Sequence, residues 1–395
     1  MLVKMKDICT KVGSGATPKG GNNAYIKTGI TLIRSQNIHD FYFSHDGLAH
    51  INDEQAAKLN GVRLEEDDVL LNITGDSVAR ACKVDNSVLP ARVNQHVCIV
   101  RGDKRKVLSS YVLYYLQMKK PELLMMASSG ATRNALTKGM IEELELDLPS
   151  LQEQKKIVSL LDDIQCKILN NNRINRNLSE QAQAYFDELF IQNASAEWKE
   201  GTLSDVGSIV AGGTPFKSNQ EYYTDNGIAW ITPKDLSVDK SVFISHGEND
   251  ITELGLQKSS ATMMPAGTVL FSSRAPIGYI AIAANDICTN QGFKSVVPND
   301  NVGTSYVYYL LKQLLPTIEN MASGSTFKEI SGSAMKIVPI AIPDDETLKR
   351  FSDFCDPIMK QIQKNEQESK RLVELRDSLL PKLMSGDLDV SDLDI

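Results

Sequence analysis

The sequence predicts an α+β protein: two tandem copies of one mixed α/β module, separated by two long antiparallel coiled-coil helices in a pseudo-twofold order. Three observations carry that prediction. A seven-residue hydrophobic repeat runs through residues 151–190, and the same pattern returns 194 residues later without a gap. The stretches in front of these two segments also repeat one another motif by motif.

The helices come first because they set the frame. In the first, Ile157, Ile164, Asn171, Leu178 and Tyr185 lie seven apart, and Leu161, Ile168, Asn175, Ala182 and Leu189 follow each by four. In the second, Phe351, Ile358, Asn365, Leu372 and Leu379 are matched by Cys355, Ile362, Ser369, Arg376 and Leu383. An apolar seam held for about five heptads reads as a coiled-coil helix. Both seams turn polar at their centres, through Asn171 and Asn175 in one and Asn365 and Ser369 in the other. Antiparallel pairing that sets Ile157 against Leu383 sets Asn171 against Ser369 and Asn175 against Asn365. Such a layer weakens the seam but fixes its register, because sliding would bury each amide against hydrocarbon. The alternative is two independent amphipathic helices, each packed on its own module.

The chain has 395 residues, 42% hydrophobic and 23% charged, the composition of a soluble globular protein with two or three domains. No apolar run reaches the roughly 18 residues of a membrane span, and the N-terminal sequence lacks a signal-peptide core. The six cysteines form no CxxC pair and the five histidines show no metal spacing. The expectation is a cytoplasmic protein with reduced thiols, no bound metal and no membrane partner. Net charge is −8, which by itself argues against nucleic acid. The charge is uneven, however: the first 150 residues hold 19 basic and 17 acidic side chains, whereas residues 344–395 hold 8 and 13. Any phosphate contact must therefore come from local patches.

Each module opens with a short alternating strand and a Gly-rich Thr-Pro turn, GSGATP in one and AGGTP in the other. Thr17-Pro18 corresponds to Thr214-Pro215, and Gly29-Ile30 to Gly227-Ile228. These glycines read as turn geometry before ligand contact. A strand, polar turn and strand follow, carrying Thr74-Gly75-Asp76 in the first module and Ser272-Ser273-Arg274 in the second. Val93-Asn94-Gln95 is then answered by Thr289-Asn290-Gln291. Amides are poor strand formers, so a pair at the same strand entrance in both modules either closes a buried turn or reads a base edge, as amides do with adenine. An aromatic helix comes next (residues 110–120 and 305–315), then a Gly/Ser/Thr-rich loop near Arg133, Lys138 or Lys328 that suits phosphate. A last strand runs into Pro149 or Pro343, and the long helix begins just beyond. The predicted domains are therefore residues 1–149, helix 150–192, residues 193–343, and helix with acidic tail 344–395.

Catalytic motifs are missing from the sequence. It holds no nucleotide-binding glycine motif, no nucleophile elbow and no adenine-methylating Asn-Pro-Pro-Tyr or Asp-Pro-Pro-Tyr. The carboxylate pair Asp67-Asp68 becomes Gly267-Thr268 in the second module and reads as a solvated face.

The paired Gly-Ala/Gly-Gly-Thr-Pro turns, the Val-Leu-Leu/Phe strands with polar turns, Asn94-Gln95, Asn290-Gln291 and the two heptad helices together resemble the DNA-specificity subunit of Type I restriction–modification enzymes. The resemblance spans nearly the whole chain and rests on the duplicated order, since no single motif is specific. It implies two target-recognition domains, each reading one half of a bipartite target in double-stranded DNA, with the helix pair as spacer. About 33 helical residues at roughly 1.5 Å each give a rod of about 50 Å. It further implies docking of two modification subunits and of restriction subunits. S-adenosylmethionine, ATP and Mg would then sit on those partners, with no cofactor and no catalysis on this chain. The candidate DNA contacts in the first module are Arg34, Gln36, Asn37, Thr74, Asp76, Arg80, Asn94, Gln95 and Arg133. Those in the second are Lys217, Thr232, Lys234, Ser273, Arg274, Asn290, Gln291, Thr326 and Lys328. Arg and Lys suit guanine edges or phosphate, amides suit adenine, and Asp76 suits the cytosine amino group. Two other readings stay open: a DNA-independent scaffold or decoy that only binds methyltransferase partners, and a standalone nuclease or methyltransferase.

Overall fold

The computed structural model describes residues 2–128, 134–324 and 328–390, and the chain divides into two compact units. One is Met1–Ile168 with Arg371–Ile395; the other is Leu169–Lys370. The divide falls inside both long helices, Leu151–Asp187 and Asp345–Ser385, and not at their ends, where the sequence placed the boundaries. The physical reason is that the helix ends belong to the cores. Ile157, Leu161, Leu380 and Leu383 are buried in the core of the first unit, and Phe186, Leu189, Phe351 and Cys355 in that of the second.

The first unit is built on an antiparallel sheet in the order Cys9–Ser14, Val97–Gly102, Val69–Asn72, Ala81–Lys83. The two inner strands, Val97–Gly102 and Val69–Asn72, are rich in β-branched or apolar residues and are buried, as the inner strands of a covered sheet must be. A smaller sheet sets Ile30–Ile33 between Ala49–Ile51 and Ala91–Val93. The strand Leu2–Lys4 pairs with Glu145–Asp147 and joins the start of the module to its end. The helix Ser109–Met118 lies in the core, burying Tyr111, Tyr114 and Tyr115.

The second unit repeats the plan with other lengths. Its main sheet runs Gly207–Ala211, Lys294–Pro298, Val269–Ser273, Ile277–Ala283, Phe243–Ile244, and its smaller sheet contains Ile228–Ile231 beside Cys288–Thr289. Lys199–Thr202 pairs with Pro339–Ile342 and joins the start of this module to its end. The aromatic helix, expected over 305–315, extends over Thr304–Met321 and carries Pro316 inside it. Tyr306, Tyr309, Phe351 and Phe186 form one aromatic cluster with ring centroids 5.7–6.5 Å apart. Such pairs contribute about 0.5–1.5 kcal/mol each beyond their burial. Phe186 is the residue the heptad reading passed over. It is 1% exposed, whereas its neighbour Tyr185, assigned to the seam, is only half-buried. Just beyond, the helix widens into a π-helix over Glu188–Gln192, in which the seam residue Leu189 is still buried.

Each module is tied to its long helix by an equivalent hydrogen bond. Ser110 Oγ and Tyr114 Oη donate to Asp162 (3.4 and 2.7 Å), and Ser305 Oγ donates to Asp356 (2.6 Å). Along the helices in the first unit, Arg376 donates to Gln165 (2.7 Å) and stacks over Phe41. In the second unit Asn171 Nδ2 donates to Ser369 Oγ (3.3 Å) and Glu368 (2.8 Å), and Asn365 Nδ2 donates to Asn175 Oδ1 (2.7 Å). Farther on, Tyr185 stacks on Phe351. Rising numbers on one helix meet falling numbers on the other, so the segments in this unit run antiparallel.

One sequence reading is corrected here. Asp68 is not on a solvated face: it is fully buried, and its carboxylate takes Arg101 Nε at 2.7 Å and a second guanidinium nitrogen at 2.8 Å. It also accepts the Glu65 amide at 2.8 Å. A buried carboxylate needs such a bidentate partner, and the module supplies it from the neighbouring strand. Asp67 remains half-exposed and pairs with Lys104.

Candidate nucleic-acid interface

The polar positions singled out from the sequence lie where strands end, and the local wiring is the same in both units. In the first, Ile30–Ile33, Val69–Asn72 and Ala91–Val93 run out into loops linked by three bonds. The Asn94 amide donates to Ile33 O (3.0 Å), the Ile73 amide to His96 O (2.9 Å), and Asn72 Nδ2 to Ser35 O (2.9 Å). In the second, the Asn290 amide donates to Ile231 O (2.9 Å) and the Ser273 amide to Gly292 O (2.7 Å). The Gly-rich Thr-Pro turn packs against the Asn turn in each. A Cβ on Gly15 would fall 2.2 Å from Asn94 O, and one on Gly212 would fall 2.0 Å from Asn290 O. Only glycine permits that approach, so these glycines serve packing.

In the second unit the strand ends enclose a cleft of about 650 Å³. It gathers six candidates: Lys217, Thr232, Lys234, Arg274, Asn290 and Gln291. Lys217 and Gln291 are exposed. Thr232 caps the helix Pro233–Val238, its Oγ1 donating to Asp235 at 2.6 Å. Lys234 pairs with Glu248 at 2.5 Å, which holds its ammonium above its ordinary range. Arg274 pairs with Glu329 at 3.3 Å. The Thr-Pro turn at the cleft edge is held rigidly, with Tyr223 Oη on Pro215 O (2.8 Å) and Trp230 Nε1 on Gly213 O (3.0 Å). Rigid placement of polar groups is what a recognition surface requires.

In the first unit Gln36, Asp76 and Gln95 are exposed and Arg80 is half-buried. Thr74 Oγ1 meets His96 Nδ1 at 2.6 Å. Arg34 lies over Tyr25 and donates to Gly47 O at 2.5 Å.

Three candidates are corrected by their surroundings. Asn37 is fully buried, its amide donating to Ser44 O and Asp46 O while its oxygen accepts the Arg34 amide. Asn94 is 7% exposed and its Oδ1 accepts the His96 amide. Ser273 is fully buried, with its hydroxyl on Gly292 O. Each supplies a hydrogen bond that the turning backbone lacks, so it is spent inside the fold. Asn290 does the same with its Oδ1, on the Gly292 amide at 2.8 Å, but is only half-buried and still lines the cleft. Lys328 is exposed next to Glu329 and does not line the cleft. Arg133 and Thr326 lie outside the described residues.

The structure also brings in residues that the sequence did not mark: Gln220, Tyr223, Asp235 and Glu248 in the cleft, Glu329 beside it, and His96 in the first unit. His96 directly follows the Asn-Gln pair, which was a usable signal. Asp235 and Glu329 likewise adjoin the candidates Lys234 and Lys328, whereas Gln220, Tyr223 and Glu248 carry no motif. Among the described residues no cluster of three or more His, Cys, Asp or Glu side chains could hold a metal ion, and no helix is long and apolar enough to cross a membrane.

Amides, hydroxyls, lysines and an arginine at rigid strand ends, set out twice on one scaffold, define a duplicated reader of polar ligands by hydrogen bonding. Comparison with known proteins gives that class its family. The Type I restriction modification DNA specificity domain matches residues 1–180 and again 195–374. The chain therefore belongs to the family of Type I restriction–modification DNA specificity proteins. It is 24% identical over 446 aligned positions to the Type I restriction enzyme HindI specificity subunit of Haemophilus influenzae, covering 93% of this chain and 95% of that one. It is 39% identical over 196 residues to the MjaIX specificity subunit of Methanocaldococcus jannaschii, a match spanning 48% of this chain and 45% of the relative. The crystal structure of a Type I restriction–modification S subunit from M. genitalium has the same fold, with a TM-score of 0.62 at 13% identity over 97% of this chain and 96% of the other.

Proposed function

We propose that this chain supplies DNA sequence specificity to a Type I restriction–modification assembly, each unit reading one half of a bipartite duplex target. The long helices pair as an antiparallel coiled coil that fixes the separation of the two readers and docks two modification subunits, with restriction subunits joining the same assembly. The chemistry, with S-adenosylmethionine, ATP and Mg, belongs to those partners. Methylation of a base inside a duplex requires its extrusion into the methyltransferase pocket, and this chain's part is to place the partner over the right base. The assembly would work in the cytoplasm.

The observation that carries this reading is the repeated strand-end wiring with different side chains mounted on it. The Gly–Asn contact recurs in both units, at Gly15 with Asn94 and at Gly212 with Asn290. The groups presented above it differ beside a shared glutamine (Gln95 and Gln291): Thr74 with His96 in one, Arg274 with Gly292 in the other. A shared scaffold with exchanged tips is how one fold reads two sequences. The test is selection from random duplexes by the chain assembled with its modification subunits. Two short enriched blocks at a fixed unread gap are expected. An unenriched pool from an intact assembly would establish the scaffold reading instead.

A further inference from the structure

The wiring allows the two units to be superposed residue by residue around one position. The Leu136 amide donates to Ile73 O (2.8 Å) as the Ile330 amide does to Ser273 O (3.1 Å). Single antiparallel bridges then join Thr74 to Ala135 and Arg274 to Glu329. The next residue has positive φ in both: Gly75 (79°), and Ala275 (54°), where a side chain makes that conformation costly. The same turn thus lifts Thr74 in one unit and Arg274 in the other. Across the bridge stands Ala135 in the first and Glu329 in the second. The cation and its carboxylate are both present in one unit and both absent from the other.

The pair is also built firmly. Glu329 exchanges two backbone hydrogen bonds with Ser323 (3.0 and 2.9 Å), and its carboxylate meets Arg274 Nη1 at 3.3 Å. Arg274 lines the cleft beside Asn290 and Gln291 and remains about a third exposed, so the guanidinium edge turned from Glu329 is available. A carboxylate close to DNA is repelled by phosphate. One that stays there must be offset, and orienting a guanidinium for two parallel hydrogen bonds provides the offset.

We infer that Arg274 reads a guanine edge in the half-target of the second unit and that Glu329 is its positioning residue, while the equivalent place in the first unit, Thr74 with His96, takes a base other than guanine. This rests on the proposed DNA-reading function and specifies it. The two halves of the target therefore differ at equivalent places because of this exchange.

The experiment uses the complete assembly and a panel of duplexes carrying each base pair at each position of the enriched target. Wild type should prefer guanine at one position of one half on the order of tenfold or more. Glu329→Gln should cut that preference about tenfold, leave the other positions and the salt dependence unchanged, and be partly rescued by Glu329→Asp. Arg274→Ala should abolish it, and Thr74→Ala should alter only the other half. Thermal midpoints of each variant check folding. If Glu329→Gln leaves the preference intact, Glu329 is not a positioning residue and the inference is overturned; if Arg274→Ala weakens all duplexes equally with a shallower salt dependence, it is overturned because Arg274 is a phosphate anchor. If the wild-type assembly distinguishes no duplex from another, the DNA-reading function itself fails, a result separable from the first because it appears before any substitution.

Discussion

Glu366 sits on the second long helix and accepts the Val242 and Phe243 amides of the second unit at 2.7 and 3.0 Å. Burial pushes its carboxyl up to about 7, with Asp239 adding to the rise and the two amides opposing it; Tyr308 lies in the same field. The folded state therefore holds the proton more tightly than the unfolded chain, where the carboxyl titrates near 4.5. Its contribution is full below that lower value and is lost as pH rises through about 7. Thermal melts of the chain should show this stability falling between those pH values, and Glu366→Gln should flatten the decline. An unchanged slope in the variant would remove Glu366 as its source. At this scale the sequence was legible in residue type but not in surroundings. Asp68 read as a solvent residue because nothing local to it foretells Arg101, 33 residues on in an adjacent strand. Asn37 read as a tip because the Ser44 and Asp46 carbonyls that engage it lie further along a loop whose path the sequence does not disclose, whereas Asn94 closes a local turn on the His96 amide, one of the two readings open to it.

The polar layer is the feature that belongs to the element. Asn365 donates to Asn175 at 2.7 Å and Asn171 to Ser369 at 3.3 Å, so each amide has a specific partner on the other helix. Asn175→Leu leaves Asn365 facing hydrocarbon and should cost about 1–3 kcal/mol in urea unfolding. Adding Asn365→Leu should recover most of that loss, because the two leucines pack on each other. The double variant should nonetheless relax the register, read as a broadened gap between the two blocks of the selected target. An unchanged gap in the double variant would show that the aromatic cluster and the Ser110–Asp162 and Ser305–Asp356 anchors hold the register without the amides. The helices were readable because a seven-residue period is a local signal repeated many times. Phe186 was missed because it flanks the strict seam, and the rings of Tyr306 and Tyr309 that cover it come from a helix remote in sequence.

At the scale of the whole molecule the duplication was visible in the sequence, since each motif has a counterpart in the same order, but the units it builds were not. The sequence broke the chain at the helix ends, whereas the structure divides each helix between the two units, because cores recruit helix ends wherever apolar side chains can be buried. The candidate surface was half legible. Six of the nine positions named in the second module gather on one cleft, but of the carboxylates that set its electrostatics only Asp235, in a capping box with Thr232, follows a local pattern, whereas Glu248 and Glu329 meet their partners from 14 and 55 residues away. Acidic groups among the cations also explain why net charge was a poor guide: the cleft presents oriented hydrogen-bond donors on a chain whose formal charge is −8. The most direct test of the central claim, that this chain assigns a two-part DNA target, is a genome-wide map of N6-methyladenine in cells with and without its gene. A split motif, two short blocks with a fixed unread gap, should disappear on deletion and return on re-expression. A methylation pattern unaltered by deletion, in cells whose modification subunits are present and active, would contradict it.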